Sequence, residues 1–219
     1  MYARFLFVGL GGSGGKTLRF LKREILHWME IHDAGHSIPA GWQFLHIDTP
    51  PTADGQEIDH LADPLPADEY LGLINQGVDL AAVQNMLDGN KSFHSELQTW
   101  RVDPSGMPVP LAMGAGQFRA VGQTVAMAYS SKITEKLERA VSRMSMEQSQ
   151  AEIGEVYSKV TGEAPAGESN MYIVVVSSLA GGTGAGLLNI VCDTLRAMDT
   201  DADQNIFGIL YTPEVFNSI

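Results

Sequence analysis

The chain has 219 residues, of which 14 are Lys or Arg and 26 are Asp or Glu, giving a formal net charge of −12 and a pI near 4.8. That balance repels polyanions, so nucleic acid and anionic membrane surfaces are excluded as primary partners. A single cysteine, Cys192, forbids an internal disulfide and suits a reducing compartment, and no apolar run approaches the roughly 20 residues that span a bilayer. The composition predicts a soluble, cytoplasmic α/β protein, read as one domain over 1–219.

The first apolar run, residues 5–8, enters Gly9-Leu10-Gly11-Gly12-Ser13-Gly14-Gly15. Leu18, Leu21, Ile25 and Trp28 or Met29 then recur at helical spacing, so the segment reads as strand, glycine loop and helix. Gly9, Gly11 and Gly14 satisfy the permissive dinucleotide pattern G-x-G-x-x-G. Gly15-Lys16-Thr17 suggests a P-loop, but the required first glycine falls on Leu10 and that register fails.

Residues 42–47 form the next predicted strand, which ends in Asp48-Thr49-Pro50. An acid at the carboxyl end of a strand faces the ligand crevice of an open α/β sheet, where Asp48 suits a sugar, a base or a metal-bound water. The competing reading is a turn residue before Pro50 and Pro51. Asp48 lies farther beyond Gly14 than the roughly 20 residues usual for the ribose acid of a dinucleotide fold, which counts against nicotinamide or flavin.

Residues 51–110 are acidic and punctuated by proline, and they read as an irregular insertion with a helix near 67–87 and a weak strand at 97–102. The six histidines are scattered, and only His32 and His36 have helical pair spacing, with Gly35 between them. No metal site is expected from them. A third glycine-bearing turn, Gly114-Ala115-Gly116-Gln117 to Gly122, opens a helix carrying Val125, Tyr129, Ile133, Leu137, Val141 and Met144. Gln117 and Arg119 offer donors suited to phosphate oxygens. Residues 151–170 read as a connector.

The strongest signal is residues 171–198. An apolar β-branched strand over 172–176 enters Ala180-Gly181-Gly182-Thr183-Gly184-Ala185-Gly186, and Leu187, Leu188, Val191, Leu195 and Met198 then mark one face of a helix. Glycines strip side chains from a helix N-terminus whose bare N–H groups attract anions, so this loop reads as a phosphate cradle. Cys192 lies in that helix as a small core residue. A polar turn follows at 199–204, then a further buried strand at 206–211 stopped by Pro213.

Three glycine turns, each expected after a strand and each opening a helix, can gather on one edge of a parallel sheet around a polyphosphate. This pattern resembles the FtsZ/tubulin superfamily, and more closely its divergent bacterial tubulin-like branch than FtsZ itself. Residues 180–186 resemble the signature loop G-G-G-T-G-[ST]-G, residues 9–15 the first phosphate loop, and Gly114, Ala115, Gly116 and Gly122 the loop that senses the terminal phosphate. Ile47-Asp48-Thr49 resembles the turn between the first and third loops. Three positions depart from the pattern: Lys16 replaces an amide residue of FtsZ, and Ala180 and Ala185 replace a glycine and a hydroxyl residue.

The resemblance implies a three-layer, mostly parallel sheet with helices on both faces, binding GTP or GDP through main-chain amides, with Mg2+ accompanying GTP. The implied contacts are Gly11, Gly12, Ser13, Gly14, Gly15, Lys16, Asp48, Gly114, Ala115, Gly116, Gln117, Ala180, Gly181, Gly182, Thr183, Gly184 and, where FtsZ has a ribose-binding Glu, Asn217. It also implies head-to-tail self-association of the full-length protein. In the family the loop that completes hydrolysis lies beyond a central helix that follows this region. The chain therefore reads as the nucleotide-binding half, with the C-terminal half of the family fold absent and turnover lost with it. The alternatives are a non-cycling nucleotide-binding scaffold and an NAD(P)-dependent Rossmann oxidoreductase, the latter leaving the two later glycine turns unexplained.

Overall fold

The computed structural model describes residues 2–53, 63–89, 98–106, 110–167, 169–198 and 205–216. Among these, β1 (Ala3–Leu10), β2 (Trp42–Asp48), β3 (Tyr70–Gly72), β4 (Asn170–Ser178) and β5 (Ile206–Tyr211) form one sheet. Every neighbouring pair is parallel, in the order β3-β2-β1-β4-β5. The helices are α1 (Gly11–Ile31), α2 (Leu80–Asp88), α3 (Arg119–Ala128), α4 (Ser130–Ser145), α5 (Glu147–Thr161) and α6 (Gly182–Ala197).

Alternation along the strands sorts their side chains between two cores. Leu6, Val8 and Leu10 of β1 join Leu45 and Ile47 of β2 and Ile173 and Val175 of β4 on one face. There they meet Val121 and Val125 of α3, Ile133, Leu137 and Val141 of α4, and Leu187, Val191 and Leu195 of α6. On the other face Phe7, Phe44, Val174 and Val176 pack with Leu18, Leu21 and Ile25 of α1. The expected three-layer architecture, with helices on both faces of a parallel sheet, is present. Leu6, Leu10 and Leu18 are wholly buried, and each such side chain contributes about 1.5–3 kcal/mol of transfer free energy. Arg4 ties the start of β1 to its surroundings by donating to the carbonyls of Met144 (3.0 Å) and Ser169 (2.9 Å).

Several elements differ from the sequence expectation. The glycine run at 9–15 is not a loop: Gly9 and Leu10 end β1, and α1 begins at Gly11. The single helix expected beyond Gly122 is two, cut at Tyr129, whose backbone (φ −111°, ψ 20°) leaves helical geometry. Both halves bury the same apolar series, so the periodicity runs through the break. Residues 147–161, most of them read as connector, form α5, which buries Ile153 and Val156 and ends on left-handed Gly162. The third glycine turn follows a short 3-10 turn, Leu111–Met113, rather than a strand.

The segment read as an insertion supplies β3 at the sheet edge and α2, whose Leu80 and Val83 enter the main core. Residues 98–100 are helical where a strand was expected. The polar turn at 199–204, His60, His94 and Asn217 lie outside the described residues. Finally, β5 has the expected bounds but is not buried: Phe207, Ile209 and Leu210 are 53, 50 and 43% exposed at the open edge.

Candidate functional site

β1 and β4 are adjacent, yet the chain leaves β1 toward β2 and β3 and leaves β4 toward β5. Strand order reverses between them, and at such a switch point the outgoing connections splay apart and leave a crevice at the carboxyl ends. Here the crevice is a cleft of ≈ 520 Å³. Its lining comes from the first turn of α1, the first turn of α6, the 114–116 turn and the end of β2.

The two helix N-termini touch through main chain. Gly11 has φ +66°, a conformation that disfavours any side chain, and a methyl group there would lie 2.9 Å from the Gly184 nitrogen. The third turn is laid on α6 just as closely: the Gly182 N–H donates to the Gly116 carbonyl at 2.7 Å. A methyl group at Gly182 would lie 2.7 and 2.8 Å from the Ala115 and Gly116 oxygens. Behind this contact, added methyl groups at Gly122 and Gly186 would overlap the facing main chain of α6 and α3, so the two helices cross backbone on backbone.

One hydroxyl connects three of the cleft's walls. Thr183 Oγ1 accepts the Ala115 N–H at 3.3 Å and is 2.8 Å from Thr49 Oγ1, and Thr49 is wholly buried just past β2. Asp48 accepts the Thr49 N–H at 2.7 Å and faces His46 Nε2 at 3.5 Å. His46, itself buried, approaches the Gly11 carbonyl with Nε2 at 3.1 Å and meets Tyr70 edge to face at 5.0 Å. Burial, with a smaller push from the Asp48 charge, raises the Tyr70 phenol well above its ordinary value, so it stays neutral.

The electrostatics favour an anion. Neither α1 nor α6 has a side-chain N-cap or an acidic residue in its first turn, so the positive ends of two helix dipoles converge with no carboxylate of their own to offset them. The cations Lys16 and Arg19 line the cleft, and Asp48 is the single carboxylate among the described lining residues. For a chain carrying −12 overall, this is a local reversal of charge.

Of the residues singled out from sequence, Gly11, Gly12, Ser13, Gly15, Lys16, Asp48, Gly114, Ala115, Gly116, Gly181, Gly182, Thr183 and Gly184 line this one cleft. Gly14 lies beneath it, against the Val176 carbonyl and Gly9. Gln117 and Ala180 are not among its lining residues, Gln117 being exposed and Ala180 turned back onto the Ser178 hydroxyl at 3.1 Å. Sequence reasoning missed His46, Tyr70 and Arg19, and it named Thr49 only as part of the turn after Asp48, without its contact to Thr183. For His46 a signal existed, because positions 46 and 48 of one strand point the same way.

An open, doubly wound parallel sheet with two uncapped, glycine-opened helices meeting at its switch point defines an α/β protein with an open cleft at its carboxyl edge. The chain belongs to the tubulin-like family, whose model, described as "Tubulin like", matches residues 6–219. No curated protein sequence matches it. Among the described residues there is no helix long and apolar enough to cross a membrane.

Proposed function

We propose that the chain is the guanine-nucleotide-binding region of a tubulin- or FtsZ-like GTPase. The observation that carries this reading is the convergence of three glycine turns from distant parts of the sequence on one ≈ 520 Å³ cleft, with two helix N-termini and the cationic side chains of Lys16 and Arg19 facing it. A cleft of that size suits a nucleotide-sized ligand. The first turns of α1 and α6 would hold the phosphates, with Lys16 as an added charge, and the 114–116 turn would approach the terminal phosphate. Guanine rather than adenine, and Asn217 as a ribose contact, follow from the family resemblance.

No cluster of three or more His, Cys, Asp or Glu among the described residues would hold a metal by itself. A magnesium ion would therefore come with the triphosphate, with Asp48 as the carboxylate placed to meet it. Hydrolysis is expected only in the assembled protein, where head-to-tail contacts complete the site. The exposed apolar strand β5 supports further family fold packing against that edge.

To test binding, the purified protein is denatured and the released nucleotide identified by ion-exchange chromatography. Retained GDP or GTP, or a melting shift with added GDP, is the expected result; neither appearing would overturn the reading. A second reading is a scaffold that binds nucleotide without cycling. It is favoured by Asp48, the cleft's one described carboxylate, which already accepts the Thr49 N–H and faces His46. Assembly-dependent phosphate release by the full-length protein would refute it.

A further inference from the structure

We infer that His46 is a positioning residue, a brace that sets the first turn of α1 for the ligand, and this rests on the nucleotide reading of the cleft. Three observations place it. Its Nε2 is 3.1 Å from the Gly11 carbonyl oxygen, at the one residue of that turn with positive φ. A carbonyl has two lone pairs, so an N–H from the ring can fix that oxygen without displacing the helix's own bond. The ring sits where a side chain at position 15 would be: a β-carbon on Gly15 would overlap it.

Two further neighbours confine the ring. Asp48 Oδ2 lies 3.5 Å from the same Nε2, and Tyr70 packs edge to face at 5.0 Å, itself anchored by donating to the Pro50 carbonyl at 2.6 Å. His46 is 7% exposed, so it reaches a ligand through Gly11 rather than by broad contact. A turn made almost wholly of glycine has high backbone entropy when unsupported. The brace removes that freedom before binding, so that amides bind at lower entropic cost.

Hydrogen bonding to the Gly11 carbonyl requires the proton on Nε2. In long-range proton–nitrogen NMR of the histidine-labelled, ligand-free protein, His46 should carry a proton at Nε2; a bare Nε2 with the proton on Nδ1 alone would overturn the brace. The second arm compares variants. His46→Gln keeps a donor near the same place, and His46→Met keeps bulk without a donor.

The expected outcome is GDP affinity within about threefold of the parent for His46→Gln and about tenfold weaker for His46→Met, the size of one lost hydrogen bond. Gly15→Ala, which evicts the ring, should match His46→Met. Amide exchange over residues 12–15 should rise in His46→Met and return in His46→Gln. Equal affinity and exchange in parent, Gln and Met proteins would overturn the inference. If the parent itself binds no GDP, the nucleotide reading falls, while the NMR and exchange arms still decide whether His46 braces the turn.

Discussion

Replacing Thr183 by Val keeps the side-chain shape and removes the hydroxyl shared by three walls of the cleft. Two buried partners then lose a bond: Thr49 Oγ1, at 2.8 Å, and the Ala115 N–H, at 3.3 Å, both on residues with no exposure. A buried polar group left unpaired costs about 1–3 kcal/mol, and the longer contact belongs at the low end. Thr183→Val should therefore destabilise by about 2–4 kcal/mol. Thr49→Val orphans only the Thr183 hydroxyl on that side and should cost about 1–2 kcal/mol.

The double variant removes both members of the hydroxyl pair, so its cost should fall below the sum of the singles by about 1 kcal/mol or more. The measurement is urea unfolding followed by fluorescence and circular dichroism, with all four proteins compared at unchanged slope. Strict additivity of the two single costs would refute the pairing and, with it, the idea that Thr183 links β2 to α6.

Gly182→Ala forces a methyl group to 2.7 Å from the Ala115 carbonyl oxygen, and the facing atoms are main chain, so a loss of about 2–4 kcal/mol and weakened ligand binding are expected in the same unfolding and titration assays. Asp79 caps α2 by accepting the Ala82 N–H at 2.7 Å; Asp79→Ala should lower stability by about 1 kcal/mol and leave the cleft unaffected. Tyr70 gives a pH signature. Its folded-state pKa is raised above the ordinary 10.0, so its contribution is fully present below about pH 10 and is lost as pH rises beyond it, when the unfolded chain gives up the proton first. Urea midpoints between pH 8 and 11 should fall less steeply for Tyr70→Phe than for the parent; parallel curves would count against the burial argument.

What the sequence made legible was the pair of strand-and-helix units around Gly11 and Gly182, because apolar runs and three-four spacing report burial directly. The boundaries were less so. Glycine has a low intrinsic preference for helix, so residues 11–15 and 182–184 read as loop. The structure shows them in helical first turns because only a residue without a β-carbon lets α1, α6 and the 114–116 turn approach so closely. Tertiary packing overrides propensity there.

Other misreadings have other causes. β3 is three residues long and cannot show a period. α5 buries few apolar residues, and the glycines and proline that follow it made all but its first turn look like a linker. β5 carried the apolar run of a buried strand, but nothing among the described residues covers its outer edge. The cleft was visible as three turns whose meeting could only be supposed; the brace by His46 depends on the register of β2 against β1, where Leu10 lies opposite Ile47, and no local pattern encodes that.

Where α3 crosses α6, main-chain volume alone sets the distance between the two axes. The smallest substitution available, one methyl group, already exceeds the room, so this crossing admits no gradual tuning by side-chain size. The 114–116 turn is in effect a fitting bolted to α6. Variation in what the cleft accepts must then be written on the opposite walls, in the side chains that β2 and α1 present.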